Sequence, residues 1–371
     1  VGEDETRMSA DLRRKLEGMD PAAPSGQSPH VGGLRAEEGL LSIPSLPLHH
    51  GGAMTDVEVA WRLTVPEVSG AGAAGRQSAP LVVVMGGISG HRRVFGPPGE
   101  ERGWWQEVAG EGGSFPSDRW RVLAFDFLGG SGRTTGPRPD QAPGSFPTVS
   151  SHDQAALLAL LLDHLGVEAV DAIVGASYGG MVALAFARRH PSRVRRLLVV
   201  SAADRTDPMS TAWRSMQREV LRFALSCGRG ADGLRLARAM AMATYRSRSE
   251  FAQRFDGEAR RATPDARFTF PVEEYLLARG DDYARRYFPG GFLVLSESID
   301  LHRVDVTGIT VPVDAVAVEE DQLVPVADVR AMVERLPRGR LHVMSSHYGH
   351  DTFLKESSKL RPFFEALLDV P

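Results

Sequence analysis

The chain has 371 residues, 42% of them hydrophobic and 24% charged, with a formal net charge of −4. That is ample apolar content for a buried core, and the balance of charge gives no electrostatic reason to expect nucleic acid or an anionic membrane as partner. The single cysteine, Cys227, excludes an intrachain disulfide and a cysteine-based metal cluster. No apolar run approaches the roughly 20 residues that cross a bilayer, and the acidic opening Val1-Gly2-Glu3-Asp4-Glu5 lacks the apolar stretch of a secretory signal. A cytoplasmic location is therefore expected.

Residues 1–45 mix charge with Pro, Gly and Ser and show no sustained periodicity, so a mostly disordered tail is expected there. From Val57 to Val65 apolar and polar residues alternate, as in a half-exposed strand. Short β-branched runs then read as buried strands: Leu81–Met85, Val122–Phe125, Val170–Val174, Leu197–Val200, Val313–Val318 and Leu341–Met344. Several are separated by helical stretches, the pattern of a mostly parallel sheet flanked by crossover helices. The clearest helix is Gln154–Leu165, with Ser151 and Gln154 at capping-box spacing and Gly166 as its stop. Residues 204–300 are rich in Arg, Met and Ala, read as mainly helical, and interrupt the strand series. They are taken as an inserted helical lid, leaving 46–203 and 301–371 as the α/β core.

The strongest chemical signal is Gly175-Ala176-Ser177-Tyr178-Gly179-Gly180, between the strand Val170–Val174 and a helix-like run from Met181 to Arg189. A serine on a sharp strand-to-helix turn projects its Oγ from the sheet, and only small flanking residues let such a turn close. The helix behind it aims amide groups at developing negative charge. Gly-x-Ser-x-Gly arises by chance in many chains, so partners must be found in the order serine, acid, histidine. Strand Val313–Val318 ends in Glu319-Glu320-Asp321, and the last strand is followed by His347-Tyr348-Gly349-His350-Asp351. Asp321 is preferred over Glu319 and Glu320, which are as readily solvated loop charges. His350 is preferred over His347 because Gly349 and the following helix place it in a tight turn. Ser177, Asp321 and His350 are thus the expected catalytic residues of an α/β-hydrolase fold. The oxyanion donors are expected to be the backbone N–H of Tyr178 and, from the loop Gly86-Gly87-Ile88-Ser89-Gly90, that of Ile88.

With these residues in hand, the chain from about Val57 onward resembles the homoserine O-acyltransferase family. The likeness includes Leu128-Gly129-Gly130 with Thr135-Gly136-Pro137, and Gly233-Leu234-Arg235-Leu236-Ala237-Arg238 with Thr244-Tyr245-Arg246. It continues through Glu274-Tyr275-Leu276, Leu295 to Asp300, and Gly349 to Leu354. The resemblance implies a homodimeric enzyme of methionine or related amino-acid biosynthesis. It would hold no bound cofactor and use acyl-CoA as co-substrate, with Arg238 and Asp351 binding the amino acid. The chemistry suits them, since an α-amino acid offers a carboxylate to a guanidinium and an ammonium to a carboxylate. Arg238 has the alternative of snorkelling to water, and Asp351 that of capping the helix after it.

Three departures stand out. Tyr178 replaces a frequent Met, and Met85-Gly86-Gly87-Ile88 replaces a frequent His-Ala-Leu run. Leu323 occupies a position where succinyl-CoA users often carry an arginine, which argues for an acetyl donor. Against that, Ser296 to Asp305 and Val318 to Pro325 resemble a branch assigned as succinyltransferases, so succinyl-CoA is the expected donor. L-Serine, one methylene shorter, is the alternative acceptor; an esterase or thioesterase with the same triad is the rival of another class.

Overall fold

A computed structural model describes residues 34–66, 79–96, 100–139, 141, 144–261 and 263–368. An eight-stranded sheet runs through it: β1 (Leu34–Pro47), β2 (Ala53–Pro66), β3 (Leu81–Met85), β4 (Arg121–Phe125), β5 (Ala172–Ala176), β6 (Leu197–Val200), β7 (Val313–Val318) and β8 (Gly339–Met344). The spatial order is β1-β2-β4-β3-β5-β6-β7-β8. β1 and β2 pair antiparallel, β2 lies antiparallel to β4, and every later pairing is parallel.

Parallel strands buried on both faces read as unbroken apolar runs, and their two-residue period sends alternate side chains to opposite faces. Val83, Met85, Ile173, Leu197, Val199 and Ala315 enter one cluster; Val82, Val84, Val174, Leu198, Val200 and Val316 enter the other. The first face is covered by α1 (Ser151–His164) and α2 (Tyr178–Arg189) through residues such as Leu157, Leu161, Val182 and Phe186. Each such leucine contributes about 1.5–3 kcal/mol by leaving water. The second face is covered by Trp105, Trp120, Leu360 and Phe364.

Two sequence expectations need correction. The tail expected over residues 1–45 includes β1 from Leu34 onward; residues 1–33 lie outside the described residues. β1 is a half-exposed edge strand, so it lacks an apolar run. It is held instead by thirteen register partners on β2, from Leu34–Pro66 to Pro47–Ala53. Its Glu38 also bridges Arg62 at 2.8 Å, Arg92 at 3.1 Å and Arg93 at 3.0 Å. The cap of α1 is one residue earlier than expected: Ser150 and Asp153 form the capping box. Gln154 is fully buried and clamps the loop after β4, accepting from Leu128 N–H at 3.0 Å and donating to its carbonyl at 2.9 Å.

Between β6 and β7 the described residues form five α-helices: α3 (Pro208–Ser226), α4 (Gly230–Tyr245), α5 (Arg248–Phe255), α6 (Pro271–Ala284) and α7 (Pro289–Asp300). They carry a small core of their own, Leu221, Leu234, Ala237, Tyr283 and Phe292. Ile88, from the loop after β3, packs against both this cluster and the sheet.

Candidate active site

The loops that follow β3, β5, β7 and β8 leave the carboxyl ends of parallel strands, so they gather at one rim of the sheet. At the end of β5 the backbone of Ser177 is forced to φ 52°, ψ −121°, a left-handed conformation that serine adopts only at a cost of about 1–3 kcal/mol. The turn is over-determined by close approach. A Cβ on Gly175 would lie 2.4 Å from the Gly179 carbonyl oxygen, and one on Gly179 would lie 2.2 Å from that of Met85. Gly179 N–H instead donates to Gly86 O at 2.8 Å, pinning the start of α2 to the loop after β3.

The structure brings Ser177, His350 and Asp321 into one relay. His350 Nε2 is 2.9 Å from Ser177 Oγ, and His350 Nδ1 is 2.7 Å from Asp321 Oδ2. The other oxygen of Asp321 accepts from the N–H groups of Leu323 at 2.9 Å and Val324 at 3.0 Å, so the carboxylate is fixed on both sides. Glu320 is turned away to Ser345 and Ser346, and Glu319 is exposed. His347 reaches Ser249 at the start of α5. Gly349, at φ +56°, lets the turn bearing His350 press against the chain from Tyr245 to Ser247. Burial opposes charge on His350, but Asp321, through its charge and its hydrogen bond, and Asp351 outweigh it and hold the imidazole above its ordinary pKa.

The loop after β3 meets the serine at Gly87, whose Cβ position lies 4.0 Å from Ser177 Oγ, directly before Ile88. Tyr178 opens α2, where a first-turn N–H has no partner within its own helix. Its side chain points into the core: the ring meets Phe127 edge-on at 5.0 Å, and the hydroxyl pairs with Ser298 Oγ at 2.6 Å. Tyrosine at this position is thus a packing residue with a satisfied hydroxyl.

Arg238 does not snorkel to open water. Its guanidinium sits 4.7 Å from the Tyr283 ring centre and 5.0 Å from that of Tyr245, and no carboxylate lies within ion-pair distance among the described residues. Burial opposes its charge, but Tyr245, Tyr283, Asp351 and Tyr287 outweigh burial and hold its pKa above the ordinary value. Asp351 occupies the N-cap position of the short helix Thr352–Lys355 without capping it. The side chain pairs with Arg246 Nε at 3.2 Å. Burial pushes its carboxyl pKa up, against the pull of Arg246, Arg238 and His350. Tyr245, Tyr283 and Arg246 were not singled out in sequence as site residues, although Thr244-Tyr245-Arg246 carried the signal. Tyr283 had none, because it reaches Arg238 from another helix.

A cavity of about 40 Å³ reaches Ser177 and His350 from the side of α3, walled by Met181, Ile299, Leu323 and Val324. Among the described residues no cluster of His, Cys, Asp or Glu is arranged to hold a metal ion. No described helix is long and apolar enough to cross a membrane.

An α/β-hydrolase-fold family model matches residues 80–357. Homoserine O-succinyltransferase of Xanthomonas campestris pv. campestris is 40% identical over 346 residues, covering 92% of this chain and 84% of that protein. Homoserine O-acetyltransferase of Clavibacter michiganensis subsp. michiganensis is 32% identical, covering 96% of this chain and 98% of that protein. Among solved structures, homoserine O-acetyltransferase from Staphylococcus aureus superposes with a TM-score of 0.73 at 24% identity, over 90% of this chain and 96% of that one. With its sheet order, its strained serine and relatives matched over nearly their full length, the chain belongs to the homoserine O-acyltransferase family of the α/β-hydrolase fold.

Proposed function

We propose that the protein moves an acyl group from a CoA thioester to the hydroxyl of L-homoserine by way of an ester on Ser177. His350 takes the Ser177 proton as Oγ attacks the thioester carbonyl; the C–S bond breaks, and the proton leaves with the CoA thiol. In the second half, His350 takes the homoserine hydroxyl proton, the new ester forms, and the proton returns to Ser177. The amides of Tyr178 and Ile88 are the proposed donors to the oxyanion. Asp321 holds the imidazole in its working orientation.

The observation that carries the acceptor is the guanidinium of Arg238, set between two tyrosines with no carboxylate at ion-pair distance among the described residues, and within electrostatic range of Asp351, the residue after His350. That pair matches the two charges of an α-amino acid. A simple esterase has no use for such a clamp. In the mechanism, Asp351 receives the ammonium alongside Arg246. L-Serine differs by one methylene, worth about 1–3 kcal/mol in a fitted pocket. The deciding assay incubates the protein with acetyl-CoA or succinyl-CoA, with and without homoserine or serine, and follows CoA release and product mass. CoA release that ignores the amino acid would establish a hydrolase instead.

Since the base must be neutral, the raised pKa of His350 places the acid limb of kcat/KM above the ordinary histidine value near 6.5. Asp321→Asn should move that limb downward, as a pH–rate profile would show; an unmoved limb would assign it to another group.

A homodimer is also proposed. Met209, Trp213, Met216 and Phe223 form a stripe along α3, and are 65%, 47%, 53% and 74% exposed. Apolar surface repeated at helical spacing marks a docking face. Phe223→Glu with Trp213→Glu should halve the mass measured by light scattering while the thermal transition persists. An unchanged mass would place the interface elsewhere. A CoA-thioester donor fits the cytoplasm, where such thioesters are made and used.

A further inference from the structure

The cavity beside Ser177 is lined by both apolar and charged side chains. Met181, Leu323 and Val324 wall it, and Arg214 and Gln217, from the inner face of α3, complete it. Arg214 and Arg218 share one carboxylate. Arg214 Nε donates to Asp300 Oδ1 at 2.7 Å, and Arg218 Nη1 donates to Asp300 Oδ2 at 2.6 Å. Arg218 spends its remaining reach on Ser296 and Ser215. Arg214 Nη2 lies buried 2.7 Å from the same Asp300 oxygen, an ion pair off the hydrogen-bonding direction. Gln217 is 3% exposed, and its side-chain amide makes no hydrogen bond with the described residues. Arg214 thus gives Asp300 one directed hydrogen bond, from Nε, and lines the cavity together with Gln217, whose amide has no hydrogen bond among the described residues. The other acids of this lining, Asp207 and Asp328, stand with Arg205, and Asp207 is also engaged as the N-cap of α3. Arg214 lies within electrostatic range of His350, and so of the reacting centre.

Resting on the acyl-Ser177 reading above, we propose that Arg214 and Gln217 read the far end of the acyl group, selecting a donor whose acyl chain ends in a carboxylate. A terminal carboxylate would accept from the Arg214 guanidinium and from the Gln217 amide, while the methylenes lie along Met181, Leu323 and Val324. The cation that the resemblance places at position 323 is supplied from α3 instead. Leu323 remains an apolar wall.

The test compares succinyl-CoA with butyryl-CoA, which replaces the terminal carboxylate by a methyl group, and with acetyl-CoA. Acylation of Ser177 is followed by intact mass in a single turnover. The wild type is expected to favour succinyl-CoA over butyryl-CoA on the order of 100-fold in kcat/KM, the factor that a charge-assisted hydrogen-bonded pair supplies. Arg214→Leu should bring that ratio close to one while sparing acetyl-CoA, and Arg214→Lys should keep part of it. Because Arg214 also pairs with Asp300, thermal melting of both variants accompanies the kinetics, and the wild-type ratio decides the matter if Arg214→Leu does not fold. Equal use of succinyl-CoA and butyryl-CoA by the wild type, or a ratio unchanged in Arg214→Leu, overturns the assignment yet leaves acyl transfer standing. Failure of every thioester to acylate Ser177 overturns both readings together.

Discussion

Ser177→Ala is expected to abolish the acyl-enzyme and lower turnover on the order of 10⁴- to 10⁶-fold. The hydroxyl is the only group at the elbow placed 2.9 Å from the imidazole, and the strained turn leaves no neighbouring side chain to replace it. Intact mass after mixing with acyl-CoA should show a single acyl adduct on the wild type and none on the variant. His350→Ala should cost a similar factor, and the double variant should be little worse than either, because the groups act as one unit. A fully additive double variant would show that serine and histidine work independently. Asp321→Asn should cost about 10⁴-fold, since the amide can satisfy the wrong imidazole tautomer.

Arg238→Ala is expected to raise KM for the amino acid on the order of 100-fold and to leave acylation of Ser177 by the donor nearly unchanged. The guanidinium is held by the faces of Tyr245 and Tyr283 rather than by an acid, so its hydrogen-bonding edge is free for a carboxylate. Stacking of this kind contributes roughly 0.5–2 kcal/mol to the insertion itself. A small drop in Tm is therefore expected and is read separately. Single-turnover acylation without acceptor isolates the first half-reaction, and product formation at varied homoserine isolates the second. Equal loss in both halves would make Arg238 a structural cation. Arg238→Lys should recover only part of the binding, because an ammonium is a point charge without the planar fork.

Legibility followed burial. β3, β6 and β7 have the bounds expected from their apolar runs, because strands enclosed on both faces read as nearly unbroken apolar stretches. β5 was expected over Val170–Val174 and is found at Ala172–Ala176. Gly175 and Ala176 resemble a turn in composition, yet they remain in the strand because α2 packs too closely for larger residues. β1 was unreadable: its stability lies in its partner strand and in the arginines that Glu38 gathers from distant positions.

By itself the sequence determined the order of the strands from β2 onward, the serine elbow, and the acid and histidine that follow it at strand ends. Those features are local: apolar periodicity, glycine spacing and position after a strand are all written in consecutive residues. Only the tertiary structure decided that Arg238 lies between Tyr245 and Tyr283, that Asp351 pairs with Arg246 instead of capping its helix, and that Arg214 lines the cavity beside the serine. Each of those depends on the packing angle between helices, which short-range pattern does not encode, because a charge has no fixed meaning until its neighbours and its access to water are known.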